Sequence, residues 1–320
     1  MTGAATGQII FKYEARLIQD VILKRRYKRF LADVKLSSDE EDSTVYVPNT
    51  GSMLNLVPPQ LIDPLCVLSV APSGSKRKYQ YTVEMIQVGE AFVGIHSALA
   101  NKMVANALKM DLIPECRGFT SIRQEVTVDD QERESIVERN SGVSSSKDKK
   151  KKKKSETSRI DFELLFGDSK NASPTHQLSK KRRRAPDTDE AQAVDASSMM
   201  ANLSQRMLVE VKSVTLAPCG SVPKSEANTR LAEFPDTVSV RARKHAECLT
   251  KHVLAGGRAA IIFLIQRDDC SRFTISDNDL AYKEAVRAAQ EAGVLILPYA
   301  CRLRPLEGTV ELLDKVPFLV

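Results

Sequence analysis

The segment Met207 to Leu216, MLVEVKSVTL, reads as an interior strand by its Val and Leu content, yet it carries Glu210 and Lys212 two residues apart. Side chains alternate along a strand, so those two share one face while Val209 and Val211 share the other. An ordinary strand uses such charges as an ion pair with a neighbour or leaves them solvated. The preceding apolar segment, SRIDFELLF from Ser158 to Phe166, points elsewhere. There Ile160, Phe162, Leu164 and Phe166 alternate as an expected core face, leaving Arg159, Asp161 and Glu163 opposite. If the two strands are neighbours, Asp161 stands beside Glu210 and Lys212. Two carboxylates suit Mg2+ or Mn2+, and an ammonium beside them polarises a phosphate or orients a water. That set supports metal-assisted phosphodiester hydrolysis. An ExK spacing alone is a weak signal, and the RID strand ahead of it makes the reading more specific.

A third strand, SIRQEVTV from Ser121, precedes these two, and two polar segments separate the three. Asp129 to Ser158 contains SGVSSSKDKKKKKKSE, and Asp168 to Arg206 contains SKKRRRAPDTDE. Both are poor in aromatic and β-branched residues, the composition of disordered insertions. A longer surface loop costs only about 0.6 kcal/mol per doubling, so a fold tolerates them. Together they carry +4 of the net charge of +6, which leaves the remainder nearly neutral. Their Lys and Arg runs suit solvated linkers, a nuclear address around Lys180 to Arg184, or loose nucleic-acid tethering.

Outward from the strands, Leu99, Met103, Val104, Ala107 and Leu108 mark an amphipathic helix with Ser97 as N-cap and Pro114 as a stop. On the other side come a helix around SVRARKHAECLTKHVLAGG, the strand RAAIIFLIQR, a helix over DNDLAYKEAVRAAQEAG and the strand VLILPYACRL. A mixed sheet with helices against it fits that order. Ile9 to about Val88 has a different texture, with short alternating strands punctuated by Pro and Gly. The expectation there is a small all-β domain, with an OB-type barrel as one candidate.

The totals exclude other classes. No run approaches the roughly 18 apolar residues of a membrane span, and MTGAATGQIIFKYEAR has no secretory signal pattern. The expectation is an intracellular protein, with cytoplasm, nucleus and organelle left open. The six cysteines share no CxxC or CxxH spacing, so buried thiols are expected rather than a zinc site or a disulfide framework. The basic cluster Lys24, Arg25, Arg26, Lys28 and Arg29 surrounds Tyr27 and Phe30, and Lys76, Arg77 and Lys78 precede Tyr79. Cations for phosphates interleaved with rings for bases suit a nucleic-acid strand. The alternative is a strand edge protected by charge. Ser52 in PNTGSM has no GxSxG context or His partner and is read as part of a structural turn.

In chain order, RRYKRFLADV, VPNTGSM, KRKYQYTVE, SALANKMV, SRIDF, VEVKSVTL, FPD with RKH shortly after, and the QR ending the apolar strand resemble the sugar fermentation stimulation protein family. The resemblance spans nearly all of the chain outside the extreme N-terminus and the two polar segments. It implies an OB-like domain over 9–88 and a PD-(D/E)xK nuclease-like domain over 89–320, an α/β protein with an all-β N-terminal part and DNA as partner. It also implies Asp161, Glu210 and Lys212 as the metal and catalytic positions, with Glu125 of RQEV as an assisting carboxylate. Two departures stand out. Val240 occupies a position where the family carries Glu, and the helix after Ser97 lacks the Glu that many nucleases of this fold add as a metal ligand. The expected function is DNA binding with metal-dependent phosphodiester hydrolysis; the alternative is a regulatory DNA-binding protein that keeps the fold without turnover.

Overall fold

The computed structural model describes residues 7–36, 41–129, 157–167, 203–218 and 230–320. Most of the two polar segments, 130–156 and 168–202, lies outside the described residues, as does the run Lys180 to Arg184. Their described ends are structured, contrary to expectation: Asp129, Thr157 and Ser158 are strand residues, and Leu203 packs on Ala255.

Six strands form the N-terminal barrel: β2 (Leu17–Tyr27), β3 (Leu31–Lys35), β4 (Ser43–Tyr46), β5 (Leu65–Val70), β6 (Tyr81–Val88) and β7 (Ala91–Gly94). Their order is β4-β3-β2-β5-β6-β7, and a parallel bridge from Tyr46 to Thr82 closes β4 onto β6. Closure buries Val21, Leu23, Ala32, Val34, Val45, Leu68, Val83 and Ile86 inside. Each such Val, Leu or Ile side chain contributes roughly 1.5–3 kcal/mol by leaving water. The first strand, β1 (Gln8–Lys12), does not belong to the barrel as the sequence suggested. It pairs antiparallel with β15 (Thr309–Lys315) at the edge of the large sheet, where Ile10 enters the core under the first helix.

The remaining chain builds a seven-stranded sheet in the order β1-β15-β14-β12-β10-β9-β8. Its strands are β8 (Ser121–Asp129), β9 (Thr157–Leu165), β10 (Arg206–Val214), β12 (Arg258–Ile265) and β14 (Leu295–Arg304), with β1 and β15. The strands β10, β12 and β14 run parallel, and the outer pairs are antiparallel. Ala259 to Ile265 are all buried, as befits a parallel strand covered on both faces. Helix α1 (Leu99–Lys109) packs Leu99, Met103, Val104 and Leu108 over one face with Phe162, Val209, Val211 and Ile262. Its start differs from expectation, because Ala98 is the cap residue and the Ser97 hydroxyl donates to the Pro48 carbonyl instead. Helices α2 (Val240–Leu254) and α3 (Leu280–Glu291) cover the other face. A three-stranded sheet, β11 (Arg230–Phe234), β13 (Cys270–Ile275) and β16 (Phe318–Leu319), completes this layer.

Candidate metal and phosphate site

The site sits where two strands part. Strands β9 and β10 pair from Arg206 opposite Leu165 to Val209 opposite Phe162 and then diverge. Asp161 fills the gap: one carboxylate oxygen accepts the Val211 backbone N–H at 2.8 Å, and the other accepts Asn101 Nδ2 of α1 at 2.7 Å. The side chain thus replaces a missing backbone partner and ties both strands to the helix. On the outer side, the ladder between β8 and β9 skips Glu125 and Asp161, and Glu125 has a φ of 55°. The alternation expected from Ile160 to Phe166 therefore breaks. Phe162 and Leu164 face α1, whereas Ile160 joins the core beneath α2 and α3.

Glu210 is buried, with 3% of its surface exposed. Its Oε1 accepts Lys212 Nζ at 2.6 Å and His245 Nδ1 of α2 at 2.5 Å. The carboxylate can only accept, which places a proton on Nδ1 of His245. The second oxygen, Oε2, is buried and has no hydrogen-bond partner. Such an orphan acceptor inside a protein costs about 1–3 kcal/mol unless something fills the position. Burial, then the charge of Glu210, holds the Asp161 carboxyl above its ordinary value. Burial also acts on Glu210, but Lys212 and His245 outweigh it and leave that carboxyl below its ordinary value. Glu210 is thus the anion that the surroundings are arranged to keep.

Of the trio, Lys212 reaches a cleft of about 310 Å3 between the barrel and the large sheet, lined by Arg29, Thr50, Asn101, Lys212, Asp236 and Ser239 among others. Asn101 and Lys212 are in this lining, and each bonds directly to a carboxylate just behind it. Asp236, of the FPD motif, fastens the two domains together. Its carboxylate accepts Met53 N at 2.9 Å and Ser52 Oγ at 3.1 Å, and Gly51 leaves the room it needs. The PNTGSM loop is therefore a docking loop, and Ser52 is one of its fastenings.

The structure redistributes the other expected site residues. Glu125 is exposed and ion-pairs with Arg159, so it does not join Asp161 and Glu210. Lys24 pairs with Asp63 and Arg25 with Asp33. Arg26 is structural: it donates to the carbonyls of Arg29, Asn49, Gly51 and Ser52. Lys28 and Arg29 are exposed, and only Arg29 lines the cleft. Lys76, Arg77 and Lys78 are exposed on the loop between β5 and β6 and do not line it. Val240, the departure noted in the sequence, is exposed at the first residue of α2. Sequence reasoning assigned no role to Asn101, His245 or Asp236, although all three lie inside the motifs SALANKMV, RKH and FPD.

A closed barrel joined to a mixed sheet flanked by helices, with two carboxylates and a lysine where strands part, defines an OB domain followed by an α/β domain. The chain matches the family models described as the SfsA N-terminal OB domain over residues 25–95 and the sugar fermentation stimulation protein RE domain over residues 133–307. It belongs to the sugar fermentation stimulation protein family. A homologue of that name from Brucella anthropi is 33% identical over 92% of this chain and 94% of its own length. Another from Rhodospirillum centenum is 34% identical over 88% of this chain and 90% of its own. The Pyrococcus furiosus SfsA structure, solved in complex with Ca2+, is 18% identical and superposes with a TM-score of 0.65 over 98% of this chain and 100% of that one. This supports the expected fold class.

Proposed function

We propose that the chain binds nucleic acid, DNA foremost, at the interdomain cleft and hydrolyses phosphodiester bonds there with a divalent ion held by Asp161 and Glu210. The observation that carries this reading is the buried, unpartnered Oε2 of Glu210 beside a second carboxylate. Two charges that repel each other and an acceptor without a donor fit a hard cation. Mg2+ is commonly held by one or two carboxylates, with waters and substrate phosphate oxygens completing its shell. The Ca2+ bound by the Pyrococcus relative is a cation of the same oxygen-seeking kind. When bound, such an ion supplies Lewis-acid charge to a phosphoryl oxygen and acidifies a water. The protein groups do the positioning. Asn101 and the Val211 N–H aim Asp161, the His245 Nδ1 proton aims Glu210, and Lys212 faces the cleft to neutralise the phosphate.

A second reading, nucleic-acid binding without turnover, is favoured by one observation. Among the described residues no group of three or more His, Cys, Asp or Glu is placed to hold a metal. Incubating the chain with labelled single- and double-stranded DNA and RNA in Mg2+, Mn2+ or EDTA separates the two. Metal-dependent cleavage that disappears in Asp161→Asn supports hydrolysis. Binding without cleavage in any metal establishes the second reading. Cleavage in EDTA, or in Asp161→Asn, removes the trio from the mechanism.

A further inference from the structure

The barrel meets the cleft through the tip of the β2–β3 hairpin. Lys28 and Arg29 both lie in the left-handed backbone region there, at φ of 45° and 64°. Tight hairpins favour Gly, Asn or Asp at such positions, and other residues persist only when their surroundings hold them. Arg26 does so, donating from Nε at 3.0 Å and Nη2 at 2.6 Å to the Arg29 carbonyl. Arg29 Nε donates in turn to the Thr50 carbonyl at 3.1 Å, which seats the tip on the loop that Asp236 clamps. A guanidinium is therefore fixed at the cleft where glycine would fit with less strain. Lys212 lines the same cleft from the large sheet, and α2 begins on it at Ser239 with no acidic residue in its first turn.

The cleft is small. About 310 Å3 is at the small end of the roughly 300–1,000 Å3 that enclose small ligands. A volume of that size suits a single unpaired nucleotide, whereas a duplex would have to bring two paired strands into it together. Building on the nucleic-acid reading above, we propose that the cleft takes a single unpaired strand, held through its phosphates by Arg29 on the barrel wall and Lys212 on the sheet wall. Arg29 is the barrel's binding residue, and it draws the backbone past Asp161 and Glu210.

The test measures fluorescence anisotropy of the full chain in EDTA with a labelled single-stranded DNA, the same sequence as RNA, and the blunt DNA duplex. Wild type is expected to bind a single strand at least about tenfold more tightly than the duplex, with the two single strands ranking DNA against RNA. Arg29→Gly is expected to lose about tenfold in single-strand affinity and to flatten the log-affinity against log-salt slope by about 0.7, the loss of one phosphate contact. Its melting temperature should equal or exceed that of wild type, because glycine suits the backbone there. Arg29→Asn, which also tolerates that backbone, should behave alike if the glycine variant folds poorly, and Arg29→Lys should keep the salt slope. Duplex binding as tight as single-strand binding, or unchanged affinity in both neutral variants, overturns the proposal while leaving nucleic-acid binding intact. Absence of binding to every probe overturns the underlying reading as well.

Discussion

Neutralising the two carboxylates one at a time should move stability in opposite directions. Glu210 is 3% exposed and anchors the Lys212 ammonium, whose side chain is 11% exposed, together with His245. Glu210→Gln leaves that partly buried ammonium without its counter-charge, a change that costs up to about 3–5 kcal/mol. At roughly 2–4 °C per kcal/mol for a chain this large, the melting temperature should fall by on the order of ten degrees. Asp161 differs because burial and Glu210 raise its carboxyl, so its ionised form is disfavoured in the folded protein. A raised carboxylate subtracts stability as pH climbs through its pKa, and Asp161→Asn removes that penalty. The variant should therefore match or exceed wild type in EDTA at neutral pH. Urea unfolding in EDTA and in excess Mg2+ reads both effects. Saturation at about 100 times Kd should add roughly 2.7 kcal/mol to wild type and nothing to either variant. A Glu210→Gln protein as stable as wild type in EDTA would refute the reasoning, since Lys212 would not then depend on Glu210.

Gly51→Ala should destabilise by about 1–3 kcal/mol in urea unfolding, because a Cβ there would lie 2.5 Å from Asp236 Oδ2 and push the docking loop off the sheet domain. Asp269→Asn should cost about 3–5 kcal/mol at neutral pH by removing the carboxylate that pairs with the buried Arg267. Burial opposes ionisation of Asp269, but Arg267 and Arg230 outweigh it and depress its pKa, so its stabilisation is present above the ordinary Asp value of about 3.9 and fades as pH falls through the folded value. The difference between the two proteins should therefore shrink on acidification, which thermal melts across pH would reveal. Replacing 130–156 with an Asn-Gly turn should keep the melting temperature within a few degrees, because Asp129 and Thr157 already stand opposite each other as the last pair of an antiparallel hairpin.

Local pattern made the helices and the central strands legible. Leu99, Met103, Val104, Ala107 and Leu108 recur at helical spacing, and all of them enter the core under α1. Elements made by distant partners were not legible. Strand β1 is too short to announce itself, and its place is decided by β15, about 300 residues later in the chain. The stretch from Val21 to Leu36 folds as a hairpin whose usual turn signal is missing, because Arg26 holds Lys28 and Arg29 in place of glycine. The flip between Ile160 and Phe162 was hidden for a similar reason. Periodicity assumes an unbroken ladder, and the skipped pair of Glu125 and Asp161 interrupts it.

For the candidate site, residue type singled out Asp161, Glu210 and Lys212, but not the residues that hold them. The short ExK spacing already puts the ammonium beside the carboxylate, whereas Asn101, His245 and Asp236 come from other elements and join only through tertiary packing. The basic cluster shows the converse. Five cations within six residues read as one binding surface, yet Lys24 and Arg25 pair with Asp63 and Asp33, and Arg26 is committed to four carbonyls. Charge count overstates a surface when acidic partners lie across the same sheet, because a paired cation must surrender its partner before it can release a counterion to a phosphate. Alanine at Lys24 or Arg25 should consequently change the salt slope of binding less than alanine at Arg29, the exposed residue of the cluster that lines the cleft. Reductions at Lys24 and Arg25 as large as that at Arg29 would mean that the carboxylate pairs open on binding and that the whole strand contacts the backbone.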